Sequence, residues 1–262
     1  MKRFLGFSLF LFSLTAFSAN RPTFVLVHGA LFTSAGWGET QRLLQQAGYN
    51  VATLDVPGRL GDKTSPKDID LSVAAKKVCQ VAALQNAPVI LVGHSQGGAL
   101  ISAATSICPD LLQALVYVSA VLPLDGEVPF ADLQPQDTGF AKCATPNPES
   151  GLFEINHKGP IAELFFHELT GDEKAVALAN MVSEPIGIGT SKAKVDNEVL
   201  KLLPKYYIEA TEDRIVSIKT QRTIQNKVTF REIFSMKTSH CPFLADPEQF
   251  VKYLLQVAVS EN

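Results

Sequence analysis

The chain has 262 residues, of which 46% are hydrophobic and 19% charged, and its formal net charge is −3 at pH 7. This length and composition predict one large domain with a sizeable core. The slightly negative charge gives no electrostatic reason to expect binding to nucleic acid.

The N-terminus has the pattern of a signal peptide. Lys2 and Arg3 precede the apolar run "FLGFSLFLFSLTAF", and small residues follow in "AFSAN". We predict a signal peptide over 1–19, with cleavage after Ser18 or Ala19, and export to the periplasm or medium. A membrane anchor is the alternative, but the apolar run is shorter than the roughly 20 residues of a spanning helix. No stable membrane association is expected after processing.

Four cysteines fit an oxidising compartment loosely. The alternatives are one or two disulfides, or free buried thiols, and the spacing matches no zinc-binding pattern. The residues are Cys79, Cys108, Cys143 and Cys241.

Strand and helix patterns alternate through the first part of the chain. The predicted strands are "TFVLVHG", "NVATLDVPG", "PVILVGHS" and "QALVYVSAV", and the predicted helices between them are "GETQRLLQQAGY", "LSVAAKKVCQVAALQ" and "GGALISAATSI". The strands are continuous apolar runs, which is typical of strands covered on both faces. Alternation with helices predicts an α/β fold with a mostly parallel sheet of about six strands.

The pattern is interrupted from about residue 124 to 203, where the chain is irregular and rich in proline. It resumes with "KYYIEATED", "SIKTQRTIQ", "VTFREIFS" and "PEQFVKYLLQVAV". We therefore predict one domain over 20–262, with a helical lid inserted at about 124–203.

A candidate nucleophile lies where the third predicted strand meets a helix. The motif Gly93-His94-Ser95-Gln96-Gly97 has the Gly-x-Ser-x-Gly pattern of a nucleophile elbow. The turn exposes the serine, and glycines are needed where a side chain would collide with the neighbouring strand or helix. Free N–H groups of the following helix face the reacting carbonyl. The alternative is a glycine-rich turn with an incidental serine.

Ser95 needs a base, and His240 is the candidate. It follows the last predicted strand and precedes the last helix, which places it at the same sheet edge as Ser95. Asp213, in "YIEATEDRIVS", is the candidate acid, and Asp125, after the fourth strand, is the rival. We expect these groups to lie in a solvent-accessible pocket. The other histidines are His28, His94, His157 and His167.

Two backbone N–H groups are expected to form an oxyanion hole. One belongs to Gln96, the residue after the candidate nucleophile. The other belongs to the loop "VHGALF", where Gly29 keeps the backbone open. Ala30 is the preferred donor in this loop, and Leu31 is the alternative.

Several motifs together resemble the α/β-hydrolase superfamily, in particular its small-esterase branch with plant methylesterases and hydroxynitrile lyases. They are "FVLVHGALFTSAGW", "VATLDVPG", "VILVGHSQGG", "ATEDRIVS" and "SHCPFLADPEQF". The resemblance implies a Ser95, Asp213, His240 triad that cleaves a small or medium carboxylic ester through an acyl-enzyme. It implies no metal and no cofactor.

Two positions depart from the lyases of this branch. The lyases carry a threonine where this chain has Gly29, and a lysine where it has Cys241. The differences favour ester hydrolysis over a C–C lyase of hydroxynitrile type, and a weakly catalytic ligand-binding sensor is the other alternative. Insertion residues expected to line either a substrate pocket or the lid core are Phe153, Leu164, Phe165, Phe166, Met181 and Ile186.

Overall fold

The computed structural model describes residues 21–59, 61–86 and 88–261, so the signal peptide predicted over 1–19 lies outside the described residues. The strands are β1 (Thr23–Val27), β2 (Val51–Leu54), β3 (Val89–His94), β4 (Leu112–Val118), β5 (Ala144–Asn147), β6 (Leu152–Ile155), β7 (Glu184–Pro185), β8 (Lys205–Ala210) and β9 (Glu232–Met236). The α-helices are α1 (Gly38–Gln46), α2 (Leu71–Ala83), α3 (Gly97–Ala104), α4 (Gly139–Cys143), α5 (Ile161–Phe165), α6 (Gly171–Ala179), α7 (Ile186–Thr190), α8 (Asn197–Leu202), α9 (Ile218–Gln225), α10 (Pro242–Ala245) and α11 (Pro247–Ser260).

The main sheet has six strands in the order β2-β1-β3-β4-β8-β9. Every neighbouring pair is parallel, and the predicted α/β fold class is confirmed. Val27 pairs with Gly93, and His94 pairs with Val118. The register therefore brings the carboxyl ends of β1, β3 and β4 to one edge of the sheet, which is where ligands bind in open parallel sheets.

Both faces of the sheet are buried, as the continuous apolar strands predicted. Phe24 and Leu26 of β1 belong to one core, which also contains residues of α11, whereas Val25 and Val27 belong to the opposite core with residues of α2 and α3. Alternate side chains of a strand point to opposite faces. Each apolar side chain buried in this way contributes about 1.5–3 kcal/mol to stability.

The segment inserted between β4 and β8, which we call the cap, differs from the helical lid that the sequence predicted. It contains a small antiparallel sheet in the order β5-β6-β7 as well as short helices. These strands have two to four residues, and two of them contain a proline. Their stability comes from tertiary packing, so they left no alternating pattern in the sequence. Within the residues that the structure describes, none of the helices has the length and apolarity required to span a bilayer.

The cysteines divide into one disulfide and two thiols. Cys79 on α2 is bonded to Cys108, which follows α3. Cys143 and Cys241 are free and buried. The disulfide therefore joins α2 to the segment that follows α3, and both helices cover the face of the sheet whose core contains Val25 and Val27.

Candidate active site

The turn after β3 has the geometry of a nucleophile elbow. Ser95 has a φ of 53°, in the left-handed region that residues other than glycine rarely adopt. A Cβ on Gly93 would lie 2.6 Å from the carbonyl oxygen of Gly97, and a Cβ on Gly97 would lie 2.6 Å from the carbonyl oxygen of Val27. Both glycines are therefore required by close backbone approach, as the sequence motif predicted.

Asp213 and His240 lie side by side after β8 and β9. Nδ1 of His240 is 2.7 Å from Oδ2 of Asp213, and both side chains are fully buried. Oδ1 of Asp213 accepts from the N–H groups of Ile215 and Val216, at 2.7 and 3.0 Å. These bonds fix the carboxylate, so that Nδ1 of His240 carries its proton toward Asp213 and Nε2 is left to accept one.

The ring of His240 packs against Phe165, a wall residue of the cavity that Ser95 lines. Nε2 of His240 has no hydrogen-bond partner in the described part of the chain. The ring lies 5.4 Å, between centroids, from Phe165, which lines the same cavity as Ser95. The burial of these groups differs from the solvent-accessible pocket expected from the sequence, because the cap covers this edge of the sheet.

His94 makes a hydrogen bond to the loop of His240 that the sequence did not predict. Its Nε2 donates to the carbonyl oxygen of His240 at 2.9 Å, since a carbonyl can only accept. Burial, with the proximity of His240, holds the pKa of His94 well below its usual value, so the ring is neutral. His94 thus fixes the loop that carries His240 without adding a charge to the site.

The two candidate residues for the second oxyanion donor differ in the hydrogen bonds of their N–H groups. The N–H of Leu31 donates to Oε2 of Glu184 at 3.0 Å, so it is not available to a substrate. The N–H groups of Ala30 and Gln96 donate to no acceptor among the residues described. Ala30 and Gln96 are therefore the free pair, on the loops that follow β1 and β3.

Ser95 opens onto an apolar cavity of about 110 Å³. Its walls are Ala30, Phe130, Leu133, Phe140, Phe153, Phe165, Ile215 and Val216. Of the insertion residues expected there, Phe153 and Phe165 line the cavity, whereas Leu164, Phe166 and Met181 are buried in the core and Ile186 lies elsewhere. The walls carry no charged side chain, which favours a neutral, apolar substrate group.

The rival acid Asp125 lies away from His240. It is exposed, and its Oδ1 accepts from the N–H of Val195 at the far end of the cap. No cluster of histidine, cysteine or acidic residues suited to a metal ion occurs within residues 21–59, 61–86 and 88–261. The arrangement can therefore activate a serine hydroxyl through a fixed imidazole and stabilise negative charge with backbone N–H groups.

The chain is similar in sequence and in fold to known hydrolases. The model of the alpha/beta hydrolase family matches residues 24–253. The putative chloroplastic methylesterase 12 of Arabidopsis thaliana is 29% identical over 255 residues, covering 90% of this chain and 71% of that protein. The pyrethroid hydrolase of Sphingobium wenxiniae is 27% identical, covering 89% of this chain and 86% of that protein. The crystal structure of a pyrethroid hydrolase from Sphingobium faniae superposes with a TM-score of 0.82 at 25% identity, covering 90% of this chain and 97% of that one.

Proposed function

The chain belongs to the alpha/beta hydrolase family, and we propose that it is a serine esterase that hydrolyses small carboxylic esters. Membership confirms the family resemblance predicted from the motifs. The observation that carries the proposal is the buried pair of Asp213 and His240, 2.7 Å apart, at the sheet edge where Ser95 occupies a strained elbow. The named relatives are a methylesterase and pyrethroid hydrolases, and this supports an ester as the substrate.

In the proposed reaction, Ser95 Oγ attacks the carbonyl carbon of the ester while Nε2 of His240 takes the hydroxyl proton. The carbonyl oxygen becomes negative and is held by the N–H groups of Ala30 and Gln96. The tetrahedral species collapses, and His240 returns the proton to the leaving alcohol. Water then attacks the acyl-enzyme with His240 again as base, and the acid is released.

The substrate class follows from the cavity beside Ser95. Its volume of about 110 Å³ is below the ~150 Å³ of an engineered apolar cavity that binds benzene. A short or branched apolar group therefore fits this cavity better than a long chain. With no charged side chain on its walls, the cavity favours a neutral group.

Two residues support hydrolysis over cleavage of cyanohydrins. A Cβ on Gly29 would lie 2.8 Å from Cβ of Ser95, so the threonine of the related lyases does not fit this backbone. Cys241 is fully buried, and burial raises the pKa of its thiol well above the usual value. A neutral thiol at this position supplies no positive charge to hold a departing cyanide.

The test is ester turnover by Ser95→Ala with Ser119→Ala as the matched control. Ser119 lies just after β4 and shares with Ser95 its burial and a positive φ, here 46°, but it does not line the cavity. On p-nitrophenyl esters of rising chain length, Ser95→Ala is expected to lower kcat by about 10⁴-fold or more, and Ser119→Ala to retain it. Mandelonitrile is expected to release cyanide only at background rate. Full activity in Ser95→Ala, or cyanide release comparable with ester turnover, contradicts the proposal.

We further propose that the protein is exported, because a signal peptide pattern is joined to a Cys79–Cys108 disulfide. Disulfides persist in oxidising compartments and are rare in the cytosol of most organisms. N-terminal sequencing of protein recovered from the periplasm or medium is expected to begin at Ala19 or Asn20. A chain that retains Met1 and sediments with membranes contradicts export.

A further inference from the structure

A buried carboxylate from the cap reaches the oxyanion loop. Glu184, on β7, is fully buried, and its Oε2 accepts from the N–H of Leu31 at 3.0 Å. Leu31 has a φ of 66°, so this bond holds a strained backbone conformation directly after the donor Ala30. The N–H of Val182 also donates to the carbonyl oxygen of Leu31, at 2.9 Å. The cap is therefore hydrogen-bonded to both the N–H and the carbonyl oxygen of Leu31.

The other oxygen of Glu184 faces the second donor residue. In the amide orientation that satisfies both neighbours, the side-chain nitrogen of Gln96 donates to Oε1 of Glu184 at 2.8 Å. The side-chain oxygen of Gln96 then accepts from the N–H of Gly189 at 3.2 Å. The side chain of Gln96 is thus bonded to two points of the cap while its backbone N–H stays free.

We infer that Glu184 is a positioning residue for the oxyanion hole, because one carboxylate of the cap is bonded to both loops that supply the N–H donors. This inference rests on the proposed function of the site. Oε2 fixes the loop of Ala30 through Leu31, and Oε1 fixes Gln96 through its side chain. The separation of the two donors is therefore set by a residue that touches no substrate atom.

Arg59 compensates the negative charge of Glu184. Its Nη2 lies 2.5 Å from Oε2 of Glu184, and its Nε donates to the carbonyl oxygen of Phe32 at 2.9 Å. Burial raises the pKa of Glu184, while the Arg59 charge and the Leu31 N–H oppose that rise. Without the guanidinium, a carboxylate beside the oxyanion hole would repel the negative charge that forms there. The pair is therefore expected to position the donors with little net field at the substrate.

A positioning role and a merely structural role predict different kinetics. Donors that move by a fraction of an ångström stabilise the oxyanion less, which lowers kcat and leaves the binding of the neutral ester nearly unchanged. A loosened cap instead weakens substrate binding and thermal stability together. A boronic acid forms a tetrahedral, negatively charged adduct on a nucleophilic serine, so its affinity reports the oxyanion hole separately.

The matched control is another buried carboxylate, Glu209, on β8. It is paired with Arg222 at 3.0 Å and accepts from Gln225 at 3.0 Å, so its partners resemble those of Glu184, but it contacts neither oxyanion loop. Glu184→Gln and Glu209→Gln therefore make the same chemical change at two carboxylates that are each paired with an arginine, although Arg222 is largely exposed and Arg59 is buried. Only the first is expected to alter the oxyanion hole.

The experiment measures kcat, KM, the Ki of a phenylboronic acid and the melting temperature for Glu184→Gln, Gln96→Met and Glu209→Gln. For Glu184→Gln we expect kcat to fall by about 10- to 100-fold, KM to stay within about threefold, and the boronic acid to weaken by the same factor as kcat. Gln96→Met keeps the backbone donor and the buried volume. It is expected to lower kcat and weaken the boronic acid by about fivefold each, with KM nearly unchanged. Glu209→Gln is expected to change neither kcat nor Ki by more than about twofold.

Three results overturn the inference. They are a wild-type kcat and Ki in Glu184→Gln, a rise in KM as large as the fall in kcat, or an equal loss of kcat in Glu209→Gln. Where Glu184→Gln does not fold, Gln96→Met decides by the same criteria. Ser95→Ala separates this failure from that of the proposed function, because an inactive Ser95→Ala with a fully active Glu184→Gln leaves the esterase intact and removes only the positioning role.

Discussion

The sheet edge and the cap contribute different parts of the site. The candidate nucleophile, acid and base, Ser95, Asp213 and His240, each follow a strand of the six-stranded parallel sheet. The cap contributes Phe153 to the wall of the cavity and Glu184 to the oxyanion loops, but none of those three groups. In the proposed function, short loops on rigid strands therefore place the reacting groups, whereas the cap selects the ester and positions the oxyanion donors.

The largest effect that tests this division is expected from Asp213→Asn compared with Asp125→Asn. Asp213 accepts from Nδ1 of His240 at the sheet edge. Asp125 instead accepts from the N–H of Val195, in the C-terminal part of the cap. Asparagine leaves the imidazole in place but no longer enforces its tautomer, so kcat/KM is expected to fall by about 10⁴-fold. Asp125→Asn is expected to keep most activity, measured on the ester that the wild type cleaves best.

The opposite outcome, an inactive Asp125→Asn with an active Asp213→Asn, would move the acid to the end of β4. It would also show that the start of the cap carries part of the chemistry. A thermal melt of each variant accompanies the assay, because Asp213 also accepts from the N–H groups of Ile215 and Val216. The asparagine oxygen can still accept these bonds, so only a small loss of stability is expected.

The sequence predicts more of the sheet edge than of the cap, because the two regions depend on different kinds of contact. A local motif predicts the candidate Ser95, and the place of His240 after the last strand predicts the candidate base, because the carboxyl ends of parallel strands share one edge. Strands buried on both faces leave long apolar runs, so the order of strands and helices along the chain could be predicted from the sequence. These features depend on neighbours in sequence or on a regular architecture.

The contacts that the sequence did not predict are long-range ones. Glu184 bonds to Leu31 across 153 residues, and His94 bonds to the carbonyl of His240 across 146 residues. A single glutamate in an irregular segment carries no sign of its partner, and β7, where it lies, has only two residues. Phe130 and Phe140 line the cavity for a similar reason, since their side chains converge only when the cap has folded.

An intermediate effect is expected when the cap wall is shortened by Phe153→Ala. The change enlarges the cavity beside Ser95, so longer acyl or alcohol groups gain room while short ones lose contact. We expect the ratio of kcat/KM for a longer over a shorter ester to rise by about tenfold. Val176→Ala, on an exposed residue of cap helix α6, is the control and is expected to leave the ratio unchanged. An unchanged ratio in Phe153→Ala would mean that the cap does not select the substrate.

The last prediction concerns the pH dependence of the free energy of unfolding. It compares a histidine that follows β1 of the main sheet with a histidine of the cap. His28, after β1, is buried and accepts from the N–H of Val56 at 3.0 Å through Nε2. Burial lowers the pKa of His28 from 6.5 to about 3. The unfolded chain therefore binds a proton below pH 6.5 that the folded chain does not bind until about pH 3.

Because the unfolded state binds more protons in this window, the stabilisation is complete above pH 6.5 and is lost as the pH falls toward about 3. One such histidine contributes a slope of about 1.4 kcal/mol per pH unit to the free energy of unfolding. In His28→Gln, whose oxygen can still accept from Val56, urea unfolding at several pH values between 6.5 and 4 is expected to show a slope smaller by about that amount. His157→Gln, in the cap, is expected to keep the wild-type slope because the ring of His157 is exposed to water in the folded chain. Equal slopes in all three proteins would show that the burial of His28 does not contribute to the loss of stability in acid.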